Sequence, residues 1–263
     1  MILIAKIQND KYYTSPELAK YCVEKTKEII GSENITEYIE PSAGAGVFLD
    51  YLDKPYLAYD IEPEDNRILQ QDFLTLKLEY KYGRMIIGNP PYGALFDEVQ
   101  KQYFVSHYKT VEGRYDNFEL FIEKGTNLLS KHGLLGYIVP SPFLTNLYSR
   151  KLRSYIITSC RLKEIVCFTM PVFYDPTVHT CIILLSSTYK KGNSIIIKNN
   201  IDSIEKLISE DAILLDQDEI KTNPNFVIDV FINKSAKDLI NKLKSKSKPL
   251  GELCFIRQCI KTG

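Results

Sequence analysis

Residues 86–93 read Ile-Ile-Gly-Asn-Pro-Pro-Tyr-Gly and place an amide, two prolines and an aromatic ring directly after a short apolar run. The side-chain oxygen of Asn89 and the carbonyl of Pro90 could accept both N–H groups of a planar amine. Pro91 biases Pro90 toward extended backbone, which would aim that carbonyl. Tyr92 offers a ring for stacking. Two such acceptors favour a pyramidal amine nitrogen and localise its lone pair, so we predict a site that promotes attack on an electrophilic methyl group.

This chemistry needs few other groups. The product amine loses its proton after the attack, so neither a general base nor a cysteine nucleophile is required to start it. The rate would come largely from positioning and electrostatic preorganisation. Because most Asn-Pro-Pro stretches are simply turns, the surrounding elements must decide between the two interpretations.

A glycine-rich turn precedes this site in the chain. Residues 40–46 read Glu-Pro-Ser-Ala-Gly-Ala-Gly, between a predicted strand at 37–39 and a helix predicted to begin at Val47. Such a turn lets a ligand approach the backbone closely. A dinucleotide fingerprint would place Gly or Ala where Leu49 stands, so an uncharged or zwitterionic ligand is favoured. A purely structural turn is the alternative.

Two acidic positions follow at the ends of predicted strands. Asp60, after the strand at 56–59, is placed to accept two hydroxyl hydrogen bonds from a ribose, and Ile61 could cover one face of an adenine ring. Asp72-Phe73, at the end of a short third strand at 68–73, would combine an acceptor for an exocyclic amine with a stacking ring. The alternatives are a solvated acid at Asp60, and a helix cap beside a core ring at 72–73.

The order of elements that must position these residues predicts an α/β fold. A helix at 16–30 begins after Thr14 or Ser15 as its cap and ends at Gly31. Residues 94–116 are predicted to form a loop. The remaining predictions are strands at 85–87, 134–139, 162–168, 179–186 and 195–197, with helices at 117–129, 149–158 and 201–209. Strands that alternate with helices indicate a doubly wound, mostly parallel sheet, here with a terminal antiparallel hairpin.

The motif order resembles that of class I S-adenosylmethionine-dependent methyltransferases. It is most similar to the gamma-class, TaqI-type DNA adenine-N6 methyltransferases, which carry the Asn-Pro-Pro-Tyr motif. The resemblance covers roughly residues 12–187 and is weaker to 263. The segments that carry it are 13–16 (Tyr-Thr-Ser-Pro), 40–46, Asp60, Asp72-Phe73, 89–92, 115–121 and 136–140.

The resemblance implies S-adenosyl-L-methionine as cofactor and a target adenine flipped out of DNA. It assigns catalysis to Asn89, Pro90 and Tyr92, and it makes Phe173 the second ring that sandwiches the adenine with Tyr92; a core or loop ring is the alternative for Phe173. The Thr14 region would cover the methionine end of the cofactor. The cofactor-binding residues it implies are Thr14, Glu40, Pro41, Gly44, Gly46, Asp60, Ile61, Asp72, Phe73 and Asn89.

Three regions are expected along the chain. Residues 1–190 are predicted to form the catalytic domain, 191–248 its C-terminal extension, and 249–263 the start of a truncated or absent target-recognition domain. A specificity domain or subunit and an endonuclease are therefore expected partners, with only weak DNA binding by this chain alone. Residues 234–248 contain six Lys and one Asp, which indicates either a solvated helix face or a nucleic-acid backbone contact.

Composition limits the alternatives. The 263-residue chain has zero net charge, which argues mildly against a stand-alone, high-affinity DNA binder. Six Cys without a Cys-x-x-Cys pair, and three His, indicate no metal site and a reducing cytoplasm. No apolar run approaches a membrane span. Two other functions stay open: methylation of an RNA adenine or a protein glutamine amide, and a non-catalytic cofactor-binding subunit.

Overall fold

A computed structural model describes residues 7–8, 11–12, 14–93, 95–130, 132–169, 179–209, 211–231 and 234–255. The chain divides into two compact units, Met1–Ile228 and Asp229–Gly263. This boundary falls inside the expected extension at 191–248, and the three expected domains stay predictions.

The described strands are short and mostly belong to the larger unit's main sheet. They are β1 (Ile7–Gln8), β2 (Lys11–Tyr12), β3 (Glu37–Glu40), β4 (Tyr56–Asp60), β5 (Leu69–Gln70), β6 (Arg84–Gly88), β7 (Leu134–Pro140), β8 (Arg161–Phe168), β9 (Thr180–Ser186), β10 (Ser194–Ile201) and β11 (Ile213–Asp216). The first two form a separate antiparallel pair.

The described helices are α1 (Pro16–Ile30), α2 (Glu98–His107), α3 (Asn117–Asn127), α4 (Arg150–Ser159), α5 (Ile204–Ile208), α6 (Gln217–Ile220), α7 (Lys234–Lys244) and α8 (Leu250–Leu253). Of these, α7 and α8 lie in the smaller unit. The predicted start of α1 is confirmed: the Leu18 N–H donates to the Ser15 hydroxyl at 3.3 Å, and Gly31 ends the helix.

The main sheet has nine strands in the order β11-β10-β8-β9-β7-β6-β3-β4-β5. Strands β3 to β7 run parallel, whereas β9 is antiparallel to both β7 and β8. The predicted doubly wound, mostly parallel sheet with an antiparallel hairpin is confirmed. The hairpin is not the last element, because β10 and β11 extend the sheet beyond it. Strand order reverses between β3 and β6, and a crevice for ligands forms at the carboxyl ends of strands at such a point.

Helices cover both faces of the central strand β6, all five residues of which are buried. Met85 and Ile87 belong to the same apolar cluster as Leu18 and Val23 of α1. On the opposite face, a Cβ built at Gly125 of α3 would lie 3.7 Å from the Ile86 side chain. Burial on both faces explains the continuous apolar run of this strand, and it fixes the position of the turn that follows.

Two predicted elements were wrong. Val47 does not begin an α-helix; only a 3₁₀ turn, Leu49–Tyr51, follows the glycine-rich turn. Pro55 disfavours helical backbone just before it, so fewer than two helical turns would fit before β4 begins at Tyr56. The predicted loop at 94–116 contains α2, which begins at a capping box formed by Asp97 and Gln100. Only Phe104 of α2 is buried, so the helix shows little apolar periodicity and was not predicted from the sequence.

Among the described residues, no helix is long and apolar enough to cross a membrane. Four of the described cysteines, Cys22, Cys160, Cys167 and Cys181, are buried free thiols, and Cys254 is exposed. Burial raises the pKa of Cys160 to about 12. The cytoplasmic location stays a prediction.

Candidate active site

Two turns meet where the strand order reverses, one after β3 and one after β6. The Ser42 hydroxyl donates to the Asn89 backbone carbonyl at 3.1 Å. A Cβ built at Gly88 would lie 3.5 Å from Cγ of Glu40, which is ordinary van der Waals contact. The turn at 40–46 and the turn at 89–93 therefore pack directly against each other.

The two glycines of the first turn have different surroundings. Gly44 and Gly46 have φ values of 51° and 76°, which glycine adopts readily. Among the described residues other than its two chain neighbours, no atom lies within 4 Å of a Cβ built at Gly44, whereas one at Gly46 would approach Leu49 to 3.2 Å. Gly44 thus borders open space on the side where a Cβ would project, and Gly46 is packed from that side.

Asp60 holds this turn from the end of β4. Its Oδ2 accepts the Gly44 N–H and its Oδ1 accepts the Glu62 N–H, each at 2.8 Å. A carboxylate oxygen has two acceptor sites, so both oxygens keep capacity for a ribose hydroxyl. Ile61 follows with 64% of its surface exposed, as a ring-covering residue requires.

Glu40 is 1% exposed, and its Oε2 has no hydrogen-bond partner among the described residues. Burial, followed by the nearby charge of Asp60, holds the pKa of Glu40 well above its usual range, while Arg67 opposes this shift. A buried acceptor without a partner costs free energy, and a cationic amine would satisfy it. Together with the open side of Gly44, this atom fits the amino-acid part of S-adenosylmethionine.

Asp72 and Phe73 make local contacts in this structure. Asp72 Oδ1 accepts the Leu74 N–H at 2.9 Å. The Phe73 ring is 1% exposed and stacks on Phe121 with 5.5 Å between the ring centroids. These contacts are those of a turn and a core ring, and the contact of both residues with adenine stays a prediction.

The second turn is fixed by hydrogen bonds along its length. The Tyr92 hydroxyl lies 2.8 Å from Asn89 Oδ1 and 3.2 Å from the Ile138 carbonyl of β7. The Gly93 N–H donates to Asp116 Oδ1 at 2.9 Å, and the Gly93 carbonyl accepts the Asn117 N–H at 2.8 Å. The turn is therefore tied to β7 and to the start of α3.

This arrangement orients the predicted amine acceptor. An amide oxygen has two acceptor sites, so Asn89 Oδ1 can bind the Tyr92 hydroxyl and one amine N–H together. The Tyr92 ring is partly buried and meets Phe118 edge-to-face at 6.3 Å. Asp116, which accepts the Gly93 N–H, has its pKa raised by burial.

The described contacts do not test two of the predicted site residues, Thr14 and Phe173. Thr14 is 6% exposed and precedes Ser15, the N-cap of α1, and its contact with a cofactor stays a prediction. Phe173 lies outside the described residues.

Sequence reasoning missed three residues that support the site. Ser42 joins the two turns, and Asp116 anchors Gly93. Arg67 forms ion pairs with Asp65 and Asp50 at 2.7 and 2.8 Å, beside the Gly46 turn. Asp116 lies in the segment at 115–121 that resembles the family. No sequence pattern marks Ser42 or Arg67, apart from their positions near predicted site residues.

Residues 21–173 match the Eco57I restriction-modification methylase family, and this is more than half of the chain. The chain belongs to this family. Family membership and the fold together imply S-adenosylmethionine as the cofactor, in agreement with the geometry around Glu40 and Gly44.

Among curated relatives, the chain is 27% identical over 202 residues to the type II restriction enzyme and methyltransferase RM.Eco57I of Escherichia coli. It is 28% identical over 225 residues to the type II methyltransferase M.AccI of Acinetobacter calcoaceticus. These matches cover 72% and 76% of this chain but only 19% and 40% of the relatives. The chain therefore spans well under half the length of either.

The fold is also similar to that of a Listeria monocytogenes protein described as a class I S-adenosylmethionine-dependent methyltransferase. The TM-score is 0.58 at 17% identity, covering 77% of this chain and 70% of that one. This likeness confirms the predicted class I methyltransferase fold.

Proposed function

We propose that this chain transfers a methyl group from S-adenosylmethionine to the N6 amine of an adenine flipped out of DNA, within a restriction-modification system. The observation that carries the proposal is the hydrogen bond from Ser42 to Asn89. It places a turn suited to the cofactor directly against a turn suited to a planar amine. The family and the type II methyltransferases among its relatives support DNA as the substrate.

The turn at 40–46 would hold the cofactor. Glu40 Oε2 would accept a hydrogen bond from the amino group of its methionine part, and Gly44 would leave space for the ligand. Asp60 would bind the ribose, with Ile61 against the adenine ring. When bound, the cofactor would supply an electrophilic methyl group to the N6 lone pair, with its sulfur leaving as a neutral thioether.

The turn at 89–93 would hold the target amine. Asn89 Oδ1 and the Pro90 carbonyl accept hydrogen bonds from its two N–H groups. The nitrogen lone pair is then localised rather than delocalised into the aromatic ring. The product is a cationic amine that loses its extra proton to water. Tyr92 stacks on the flipped base, and Phe173 is proposed for its other face. In this proposal the Asn-Pro-Pro-Tyr motif has the same role as in the gamma-class, TaqI-type enzymes.

We propose that target recognition requires a further specificity domain or subunit. An endonuclease would complete the restriction-modification system. One assay tests the central claim: the chain is incubated with methyl-labelled cofactor and DNA, RNA or a glutamine-containing protein. We expect label on adenine N6 in DNA. Label on cytosine, on RNA or on protein, or no transfer even when a partner is supplied, would contradict it.

A further inference from the structure

Charge is divided unequally between the two compact units. Asp229–Gly263 contains eight Lys or Arg and three Asp or Glu, a net charge of +5. Since the whole chain has zero net charge, Met1–Ile228 carries −5. The basic surplus thus lies entirely outside the unit that contains the sheet and the candidate active site.

The surplus is concentrated at the end of α7. Lys242, Lys244, Lys246 and Lys248 alternate with uncharged residues, and all four are exposed. No acidic residue stands between Asp238 and Glu252. These four lysines, here called the lysine ladder, are therefore a run of exposed cationic side chains without a carboxylate in the same stretch of sequence to neutralise them.

We propose that the lysine ladder binds DNA phosphates and supplies most of this chain's sequence-independent affinity for a duplex. This inference rests on the proposed function. Lys is a flexible point charge that suits phosphate binding and carries no base readout of its own. An acidic catalytic unit repels a polyanion at low salt, and an attached cationic element offsets that repulsion. The ladder would hold DNA, while the choice of sequence would come from elsewhere.

Two other roles explain less of the pattern. Lysines in the last turn of a helix interact favourably with its dipole, but Lys246 and Lys248 follow the end of α7. A basic amphipathic helix can also bind an anionic membrane, and Leu239 and Leu243 of α7 are each 58% exposed. The family concerns DNA modification, so DNA is the favoured polyanion.

Fluorescence anisotropy with a short labelled duplex tests the proposal on the whole chain. Affinity is measured between about 50 and 200 mM salt, where it should fall steeply. With all four ladder lysines changed to Gln, the slope of log affinity against log salt should drop by about 0.9 for each phosphate that the variant no longer neutralises. Affinity at the lowest salt should fall roughly tenfold or more. Changing the same four residues to Arg should preserve both values.

A matched control changes four exposed lysines of the larger unit, Lys54, Lys77, Lys190 and Lys191, to Gln. Its net charge equals that of the ladder variant, and its slope should stay near that of the unmodified chain. An equal loss in this control would overturn the proposal, as would an unmodified chain without salt-dependent DNA binding. Binding to anionic phosphatidylserine vesicles that competes with DNA and requires Leu239 and Leu243 would assign the ladder to membranes and overturn it as well.

The outcome is separable from that of the proposed function. If the chain binds DNA with the expected salt dependence but labels no adenine, the proposed function is wrong and the proposed role of the lysine ladder is retained. If adenine is labelled but the Lys→Gln variant has the same salt dependence as the unmodified chain, the proposed role of the lysine ladder is wrong and the proposed function is retained. Matching thermal unfolding of all variants confirms that each has folded.

Discussion

The two turns of the candidate site differ in whether their proposed ligand-binding groups already have hydrogen-bond partners. The turn at 40–46 is shaped by glycines with positive φ, and Glu40 Oε2 is left buried without a partner among the described residues. In the turn at 89–93, hydrogen bonds connect Asn89 to Ser42, Tyr92 to β7 and Gly93 to Asp116. The first turn has free energy to gain from a ligand, whereas the second is already organised before one arrives.

This difference explains how the two turns divide the proposed work. Binding a cofactor can use the free energy released when a buried acceptor gains its partner. Catalysis requires donors and acceptors that need no reorganisation when the reaction occurs. The comparison fails if Asn89→Ala and Glu40→Gln each affect cofactor binding and turnover equally.

The largest effect is expected from Asn89→Ala. Losing a preorganised acceptor of the reacting amine should reduce kcat on the order of 10³-fold, while cofactor affinity changes by no more than about twofold, roughly 0.4 kcal/mol. Single-turnover methylation and calorimetric titration measure the two quantities. Asn241→Ala, at an exposed position of α7, is the control. A large loss of cofactor affinity in Asn89→Ala would place this residue in the cofactor site instead.

Glu40→Gln tests the other turn. Replacing a charge-assisted hydrogen bond should weaken cofactor binding by about 10–100-fold, or roughly 1.5–3 kcal/mol. Affinity of the unmodified chain should fall as pH is lowered through the raised pKa of Glu40, because only the carboxylate attracts the cationic amine. The decline should therefore begin above the usual glutamate range.

Calorimetric titration at a series of pH values, from the usual glutamate range upward, checks this decline. The Glu40→Gln variant should lose the pH dependence, since Gln does not titrate. The exposed Glu252→Gln should behave like the unmodified chain. Unchanged affinity and pH dependence in Glu40→Gln would mean that the unpaired oxygen does not face the cofactor.

Tyr92→Phe should have a smaller effect. It keeps the stacking ring but removes the hydroxyl that holds Asn89 Oδ1, a bond worth about 1 kcal/mol, so kcat should drop roughly fivefold. Tyr92→Ala removes the ring as well and should lose more. Steady-state kcat and KM on DNA distinguish these cases, and equal kcat for Tyr92→Phe and the unmodified chain would show that the hydroxyl does not position the amide.

The smallest effect is expected from Ser42→Ala, which breaks the hydrogen bond between the turns. A neutral hydrogen bond in the lower part of the usual range contributes about 0.5–1 kcal/mol. We expect cofactor affinity and kcat each to fall by about two- to fivefold. A change confined to one of the two would show that the turns act independently. The exposed Ser247→Ala serves as the control.

Most of the framework was readable from local patterns. The caps at Ser15 and Gly31 fixed α1, and the continuous apolar run at 85–87 indicated a strand covered on both faces. The exceptions were elements that apolar periodicity did not mark. Helix α2 depends on the Asp97–Gln100 capping box, and the segment after Gly46 was too short for the predicted helix.

Residue type and chain order were enough to predict which chemical groups stand at the strand ends: an acid at the end of β3 with glycines after it, an acid at the end of β4, and Asn-Pro-Pro-Tyr after β6. These groups follow from chain order and strand period alone. Tertiary packing, in contrast, determines which of these groups have hydrogen-bonding or stacking partners. Asp60 binds two backbone N–H groups, Phe73 stacks in the core, and Glu40 keeps an oxygen unpaired. Hydrogen bonding and burial depend on neighbours distant in the chain, as with Ser42 and Asn89, and no local pattern encodes those distances.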